Sequence, residues 1–314
     1  MHFGPFPRQL LSGLWLALWF SLPSLAESAD GKKKSPPTVA EILDQSTPQN
    51  WRTLDPENTL YMELARGRVI IELAPDFAPA HVRNVKALVR EGYFDGLAIV
   101  RAQDNYVVQW ADPNVEKPAL ARPIKTASKT LPPEFDRTFD KRLPFTRLAD
   151  GDVYAREVGF AEGFPVARDR RKGKMWLIHT YGMVGAGRDN APDSGGGPEM
   201  YAVIGQAPRH LDRNVTLFGR VIMGMEFLSA LPRGTGTMGF YEREEQRVPI
   251  KSMRVAADVP PEERTPLEVM RTDTRTFQAF VEARRNRQEE WFATRAGRID
   301  ISNIPIPSRS TGRP

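Results

Sequence analysis

The stretch Phe94–Pro113, FDGLAIVRAQDNYVVQWADP, is the part of this sequence that decides its interpretation. It places one arginine, Arg101, within an apolar run typical of a β-strand, followed by a short polar turn and a second apolar run that carries Gln109. A second distinctive block, LDRNVTLFG, occupies Leu211–Gly219. A guanidinium beside aromatic and aliphatic side chains, with no nucleophile nearby, suits a reaction that rearranges electron density without breaking a bond.

Alternating apolar and polar residues predict short strands on both sides of this stretch. Runs over 60–64 and 69–73 flank a turn at Ala65-Arg66-Gly67 and predict a β-hairpin. A helix is expected from Pro79 to Gly92, because proline is tolerated in the first turn and glycine favours the end. Further strands are expected near 97–102, 106–110, 175–184, 200–205, 215–223 and 248–257, with a short helix near 225–231. Many short strands and few helices predict an all-β barrel or sandwich.

Two regions depart from this pattern. Residues 114–175 show little periodicity and contain several prolines, so we expect an insertion there. Residues 259–314 are expected to form a charged, helical C-terminal tail with an apolar stripe made of Leu267, Met270, Phe277, Phe280, Val281, Trp291 and Phe292. Two roles remain open for this stripe, packing against the barrel and contact with a partner or a second copy of the chain.

The first 26 residues have the layout of a secretory signal. Arg8 precedes the apolar run LLSGLWLALWF, and the small-residue exit Ser24-Leu25-Ala26 follows a proline. We expect cleavage after Ala26, a periplasmic or secreted location and no membrane span in the mature chain; an uncleaved anchor is the alternative. Residues 27–54 are expected to be a linker or N-terminal extension, in which Thr38 and Glu41 have the spacing of a capping box.

The composition limits the possible chemistry. The 314 residues, 40% of them hydrophobic, suffice for a packed core, and the absence of cysteine excludes disulfides and thiol chemistry. The net charge of +5 is spread along the chain, so nucleic-acid binding is not expected. The four histidines lack metal-ligand spacing, and we predict no metal and no cofactor. GTGTMG at 234–239 satisfies a dinucleotide-binding pattern but lacks its strand and helix context, so we expect a loop.

The motifs around Arg101 and at Leu211–Gly219 resemble the central signature of the cyclophilins, the peptidyl-prolyl cis/trans isomerases. The resemblance covers roughly residues 55–258 and is loose in the insertion at about 114–175. It implies an all-β fold, a barrel of eight antiparallel strands with two short capping helices, to which the C-terminal helical extension is added.

The resemblance also implies a set of site residues. Arg101 takes the place of the catalytic arginine, and Gln109 takes that of the catalytic glutamine. The substrate-binding residues that it implies are Tyr106, Val107, Val184, Gly185, Glu199, Met200, Tyr201, His210 and Leu211. The sequence departs from the family pattern at Trp110-Ala111, where two glycines are usual, and at Glu199, where glutamine is usual.

The expected function is therefore prolyl isomerisation that assists the folding of exported proteins, with proline-containing polypeptides as substrates. An apolar pocket would hold the proline ring while Arg101 donates to the twisted amide. One alternative is a catalytically weak cyclophilin-fold module for peptide binding or chaperoning. The other is an assembly protein whose C-terminal helix does the work while the barrel acts as a scaffold.

Overall fold

The computed structural model describes residues 35–311, so the predicted signal peptide lies outside the described residues. Within 35–311 there are four α-helices, α1 to α4, at Val39–Asp44, Pro79–Arg90, Met225–Ser229 and Arg275–Arg285. In the same range, sixteen strands, β1 to β16, occupy Trp51–Thr53, Thr59–Leu64, Gly67–Leu73, Ala98–Ala102, Val107–Ala111, Arg137–Thr138, Thr146–Arg147, Glu157–Ala161, Phe164–Asp169, Lys174–Leu177, Met183–Ala186, Met200–Val203, Leu217–Met223, Val248–Val255, Leu267–Met270 and Ser308–Ser310. Among these described helices, none has the length and apolar character needed to cross a membrane.

Eight strands close into a barrel, in the order β11, β12, β5, β4, β14, β2, β3 and β13. Every pairing around the barrel is antiparallel, which confirms the predicted fold class. The predicted hairpin is β2–β3, in which Leu64 lies opposite Gly67 across the two-residue turn. Alternate residues of each strand point into the barrel, because successive side chains of a strand lie on opposite faces.

Two helices complete the barrel core. As predicted, α2 begins at Pro79, and Gly92 follows its end with a positive φ of 73° that favours glycine. The apolar face of α2 packs into the core through Val82, Val85, Leu88 and Val89, and α3 contributes Leu228. The predicted pair of short capping helices is therefore present.

The insertion is more ordered than its sequence indicates. Strands β6 to β10 form a five-stranded antiparallel sheet in the order β6, β10, β9, β8, β7, which we call the insertion sheet. Strands β8 and β9 are buried almost throughout, so they lack the apolar–polar alternation that reveals a half-exposed strand. The run predicted as one strand at 175–184 is divided between β10 in this sheet and β11 in the barrel.

The N-terminal extension is partly structured. The predicted capping box forms between Thr38 and Glu41 at the start of α1, which packs against α4. Strand β1 pairs with β15, and β15 pairs with β16, so the two ends of the described chain meet in one small sheet. Residues 39–54 thus belong to the folded protein rather than to a linker.

The structure corrects the prediction of a largely helical tail at 259–314. Within the described part of that range α4 is the only α-helix, and Leu267 and Met270 lie in β15 instead. Phe277, Phe280 and Val281 of α4 are buried in a second hydrophobic core with α1 and the insertion sheet. The apolar stripe is therefore covered by this chain: Leu267 packs against Tyr61 and Ile70 of the barrel, as one of the two predicted roles requires, and the other buried members pack in the second core. The stripe ends before Trp291, which is 84% exposed.

Candidate active site

An open cleft lies beside β4, β5 and β12, on the outer face of the barrel. Its volume is about 320 Å³, within the range of roughly 300–1,000 Å³ that is usual for small-molecule sites. Strand residues and loop residues both line it: Arg101, Tyr106, Val107, Gln109, Gly187, Arg188, Asp189, Glu199, Tyr201, Leu211, Val215, Met238 and Phe240.

A β-bulge in β4 aims Arg101 at this cleft. Ile99 lies opposite Trp110, but Arg101 lies opposite Gln109, so Val100 is an extra residue on its strand. If the register of Ile99 and Trp110 continued without the bulge, Val100 would lie opposite Gln109 and Arg101 opposite Val108, which faces the barrel core. A bulge of this kind re-aims a side chain locally without disturbing the rest of the ladder.

Arg101 is a buried cation held by neutral acceptors. Its Nε donates to the Met238 carbonyl oxygen at 2.7 Å, its Nη1 donates to Gln109 Oε1 at 3.0 Å, and its Nη2 donates to Gln103 Oε1. Only 7% of the residue is exposed, and Arg101 takes part in none of the ion pairs found among residues 35–311. Burial lowers the pKa of Arg101 from its usual value, yet arginine remains protonated in proteins. The cleft therefore contains a positive charge without a carboxylate partner.

Gln109 connects this cation to an acid. Its Oε1 accepts from Arg101, and its Nε2 donates to Glu199 Oε2 at 2.8 Å. Burial, and then the neighbouring Asp189 carboxylate, raise the pKa of Glu199. With both ends of its amide engaged, Gln109 has one fixed orientation.

Aromatic and aliphatic side chains form the rest of the wall. The Arg101 guanidinium lies 5.6 Å from the centre of the Tyr106 ring and 5.3 Å from that of Phe240, within the range of a cation–π contact. At the rim, the His210 ring stacks on Tyr106 with the ring centres 6.0 Å apart. This wall offers an apolar surface next to a hydrogen-bond donor, which suits a ring that carries an amide.

The structure brings together most of the predicted site residues. Arg101, Tyr106, Val107, Gln109, Glu199, Tyr201 and Leu211 line the cleft. Met200 and Val184 do not, since both are fully buried in the barrel core. Glu199 and Tyr201 face the cleft, and strand alternation therefore turns Met200 inward.

Gly185 lies behind the cleft wall rather than in it. It pairs with Tyr201 across β11 and β12, and a side-chain carbon at Gly185 would lie 2.4 Å from the Tyr201 hydroxyl oxygen. This glycine therefore makes room for the tyrosine and has no direct contact with the cleft.

Sequence reasoning missed the loop that closes one side of the site. The segment 234–239, which matches a dinucleotide-binding pattern, is a loop, as predicted. This loop supplies Met238 to the cleft wall, and Phe240 follows it directly. A side-chain carbon at Gly239 would lie 2.7 Å from the Cα atom of Gln103, so glycine permits the close approach of this loop to β4. The three glycines of this loop were the only indication in the sequence that it approaches another part of the backbone closely. Arg188 and Asp189 were likewise not predicted to line the cleft.

Comparisons with known proteins agree with this geometry. The family model for cyclophilin type peptidyl-prolyl cis-trans isomerase/CLD matches residues 59–255. A probable peptidyl-prolyl cis-trans isomerase from Brucella suis biovar 1 (strain 1330) is 28% identical over 184 residues, which are 58% of this chain and 74% of that protein. Peptidyl-prolyl cis-trans isomerase ppi1 from Schizosaccharomyces pombe is 35% identical over 52 residues, 17% of this chain and 34% of that one.

A solved structure extends the similarity beyond the barrel. Cyclophilin AquaCyp293 from Hirschia baltica superposes with a TM-score of 0.68 at 26% identity, covering 87% of this chain and 97% of that one. This overlap is longer than the stretch that the family model matches, so it includes elements that flank residues 59–255. The barrel, the cleft and the match to the family model all indicate the same family. The chain therefore belongs to the cyclophilin family of peptidyl-prolyl cis-trans isomerases.

Proposed function

We propose that this isomerase works by arginine-assisted twisting of the prolyl amide in the cleft described above, with Arg101 as the catalytic cation. Rotation about a peptide bond faces a barrier of about 18–20 kcal/mol, because the twisted amide loses its resonance. No covalent bond is broken. The nitrogen lone pair becomes available only in the twisted state, so a donor aimed at that nitrogen stabilises the transition state more than either planar isomer.

The observation that supports this proposal is the unneutralised charge of Arg101. Its buried guanidinium borders an open cleft, and its hydrogen bonds go to neutral oxygen acceptors. A carboxylate bonded to Arg101 would neutralise the guanidinium, whereas amide and carbonyl oxygens hold the side chain in place and leave it positively charged. Because the guanidinium is buried, the low local dielectric strengthens its interaction with the twisted amide further.

The apolar wall would hold the proline ring. Tyr106, Val107, Tyr201 and Leu211 line the cleft on the same side of the barrel as Arg101. Burying a pyrrolidine ring against them would supply binding energy at about 25 cal/mol per Å² of apolar surface. Gln109, fixed between Arg101 and Glu199, would keep the guanidinium in its catalytic orientation.

Replacing Arg101 tests this assignment. In a protease-coupled assay with a proline tetrapeptide, Arg101→Ala is expected to lower kcat/KM by about 10²–10³-fold, the usual effect of removing one transition-state donor. Arg101→Lys should recover little of the loss, because an ammonium group lacks the planar fork of the guanidinium.

Arg168→Ala is the matched control. Arg168 is equally buried, but it lies in the insertion sheet, where it pairs with Glu157 and packs on the Phe145 ring. Its loss should reduce stability and leave kcat/KM within about twofold. Equal turnover of Arg101→Ala and the unmutated protein would refute the assignment. Peptide binding without turnover by the unmutated protein would favour the catalytically weak binding module.

The proposal that the clients are exported proteins is supported by the signal-like sequence at 1–26 alone. Expression of the full chain, cell fractionation and mass spectrometry of the product's N-terminus would test it. We expect the mature protein to begin at Glu27 in the exported fraction. A retained Met1 in the cytoplasmic fraction would contradict this proposal without affecting the assignment of Arg101.

A further inference from the structure

A series of buried polar contacts begins at the cleft tyrosine. The Tyr201 hydroxyl lies 2.8 Å from His179 Nε2. His179 Nδ1 lies 3.0 Å from Asp212 Oδ1, and the His179 backbone N–H donates to the same oxygen at 2.9 Å. His179 is completely buried and Tyr201 is 5% exposed, so no bulk water competes for these contacts.

The series continues to the insertion. Arg209 Nε donates to Asp212 Oδ2 at 3.1 Å, and its two terminal nitrogens donate to the Asp152 carboxylate at 2.9 and 2.8 Å. The side chains of Arg209 and Asp152 are only 6% and 1% exposed. Paired contacts of this kind fix the planar guanidinium in both position and orientation. Asp152 lies just before β8 of the insertion sheet, and Tyr201 lies in β12 of the barrel.

These hydrogen bonds define the protonation state of Asp212, His179 and Tyr201. A carboxylate at Asp212 only accepts, so His179 carries its proton on Nδ1. His179 Nε2 then accepts, and the Tyr201 hydroxyl donates to it. Burial lowers the pKa of His179 and raises that of Tyr201, so both groups are neutral near pH 7. The Tyr201 hydroxyl therefore has one partner and one direction, for which Gly185 leaves the space.

We propose that Asp152 is a positioning residue for the isomerase site, and that it acts through Arg209, Asp212 and His179 to hold the Tyr201 ring in the cleft wall. Asp152 contacts no substrate. Without its carboxylate, two donors of the buried Arg209 lose their acceptor, and the hold of Arg209 on Asp212 weakens. The proposal gives the insertion a role in substrate binding, and it rests on the cleft being the proline site.

A double-mutant cycle tests this role. We would measure kcat and KM for a proline tetrapeptide with the unmutated protein, Asp152→Asn, Tyr201→Phe and the double variant. Asp152→Asn is expected to raise KM by roughly threefold to tenfold, the effect of about one lost hydrogen bond, while kcat changes by less than about twofold. In the Tyr201→Phe background, where no hydroxyl remains to be held, Asp152→Asn should leave KM unchanged.

Asp150→Asn is the matched control, since Asp150 belongs to the same loop. Its carboxylate pairs with Arg285 at 2.6 Å, and its side chain is 8% exposed, but this ion pair lies against α4. The substitution should lower the melting temperature in the way that Asp152→Asn does and leave KM unchanged. A rise in KM for both variants, or a rise for Asp152→Asn that persists in the Tyr201→Phe background, would mean that Asp152 has a structural role only.

A second measurement does not depend on any variant folding. The ¹⁵N resonances of the His179 imidazole in the unmutated protein should show a proton on Nδ1 and none on Nε2. A proton on Nε2 would overturn the proposal, because Tyr201 then has no acceptor there. Failure of the proposed function would give a different result, because Arg101→Ala would then turn over the peptide as fast as the unmutated protein does. If Arg101→Ala does lose turnover, an unchanged KM in Asp152→Asn would refute the positioning role alone.

Discussion

At the scale of single residues, the cleft combines a cation and an acid that do not touch. Arg101 and Glu199 are separated by the Gln109 amide, which bonds to both. Removing a charge from water costs several kcal/mol, and here the hydrogen-bond acceptors and the rings of Tyr106 and Phe240 offset part of that cost. The departure from glutamine at residue 199 thus adds an ionisable group one amide away from the proposed catalytic cation.

Glu199→Gln is expected to stabilise the protein at high pH. Burial and Asp189 raise the pKa of Glu199 above 4.5, so the folded state binds its proton more tightly than the unfolded state does. Stability is therefore lost as the pH rises from 4.5 through the raised pKa, and glutamine abolishes that loss. We expect a gain of about 1 kcal/mol at pH 8, a typical size for one substitution, and little gain at pH 4. Urea denaturation at both pH values measures it. A larger gain at pH 4 would contradict the assignment.

At the scale of elements, the insertion caps a barrel helix. The residue before α2 is Ala78, which has no side chain able to cap the helix. Glu134 takes that role from outside, because its carboxylate accepts from the backbone N–H groups of Ala80 and His81 at 3.0 and 2.9 Å. It also contacts His81 Nδ1 at 2.7 Å. A negative charge at the N-terminus of a helix is favourable in itself.

Glu134→Ala is expected to lower the free energy of unfolding by about 1–2 kcal/mol at pH 7, as loss of a helix cap does. Burial alone would raise the pKa of Glu134, but the hydrogen bonds from His81 and Ala80 hold it below 4.5. Its contribution is therefore present above pH 4.5 and is lost as the pH falls through the lowered pKa. The difference between the variant and the unmutated protein should shrink at acid pH, as it should for Glu199→Gln, but here the variant is the less stable protein at pH 7. A difference that grows on acidification would be inconsistent with this role.

At the scale of the whole described chain, the barrel core of residues 35–311 is accompanied by further hydrophobic cores, of which the second core defined above lies outside the barrel. The second core joins α1, α4 and the insertion sheet. Phe277 of α4 lies at its centre, fully buried, with its ring centre 5.0 Å from that of Phe160. The segments before and after the barrel therefore stabilise the insertion sheet. Asp152 lies in the loop between β7 and β8 of that sheet.

Phe277→Ala is expected to reduce stability by about 3–5 kcal/mol, because it leaves a cavity in this second core. Trp291→Ala is the control, since Trp291 is 84% exposed and its truncation should change stability by less than about 0.5 kcal/mol. Thermal denaturation followed by circular dichroism compares the two. Comparable melting temperatures for both variants would mean that the C-terminal segment contributes little to the fold.

Much of the barrel and its cleft could be predicted from sequence alone. The β2–β3 hairpin, α2 and the surroundings of Arg101 have local signals, namely a period of two, a period of 3.6 and turn residues at fixed positions. The resemblance to cyclophilins then placed Arg101, Gln109 and Tyr201 at one site, and the structure brings these three residues together. Met200 and Val184 were misplaced, because a match by sequence position ignores the alternation of side chains along a strand.

The sequence by itself thus determined the barrel, since its hairpin, strands and helix depend on patterns within about ten consecutive residues, and the resemblance to cyclophilins added part of the cleft, including Arg101, Gln109 and Tyr201. Only the tertiary structure decided how the insertion serves that barrel. Glu134 reaches α2 across 53 or more residues of chain, and Arg209 reaches Asp152 across 57. Contacts of this range leave no periodic trace in a sequence, because each requires only one suitable side chain at each end.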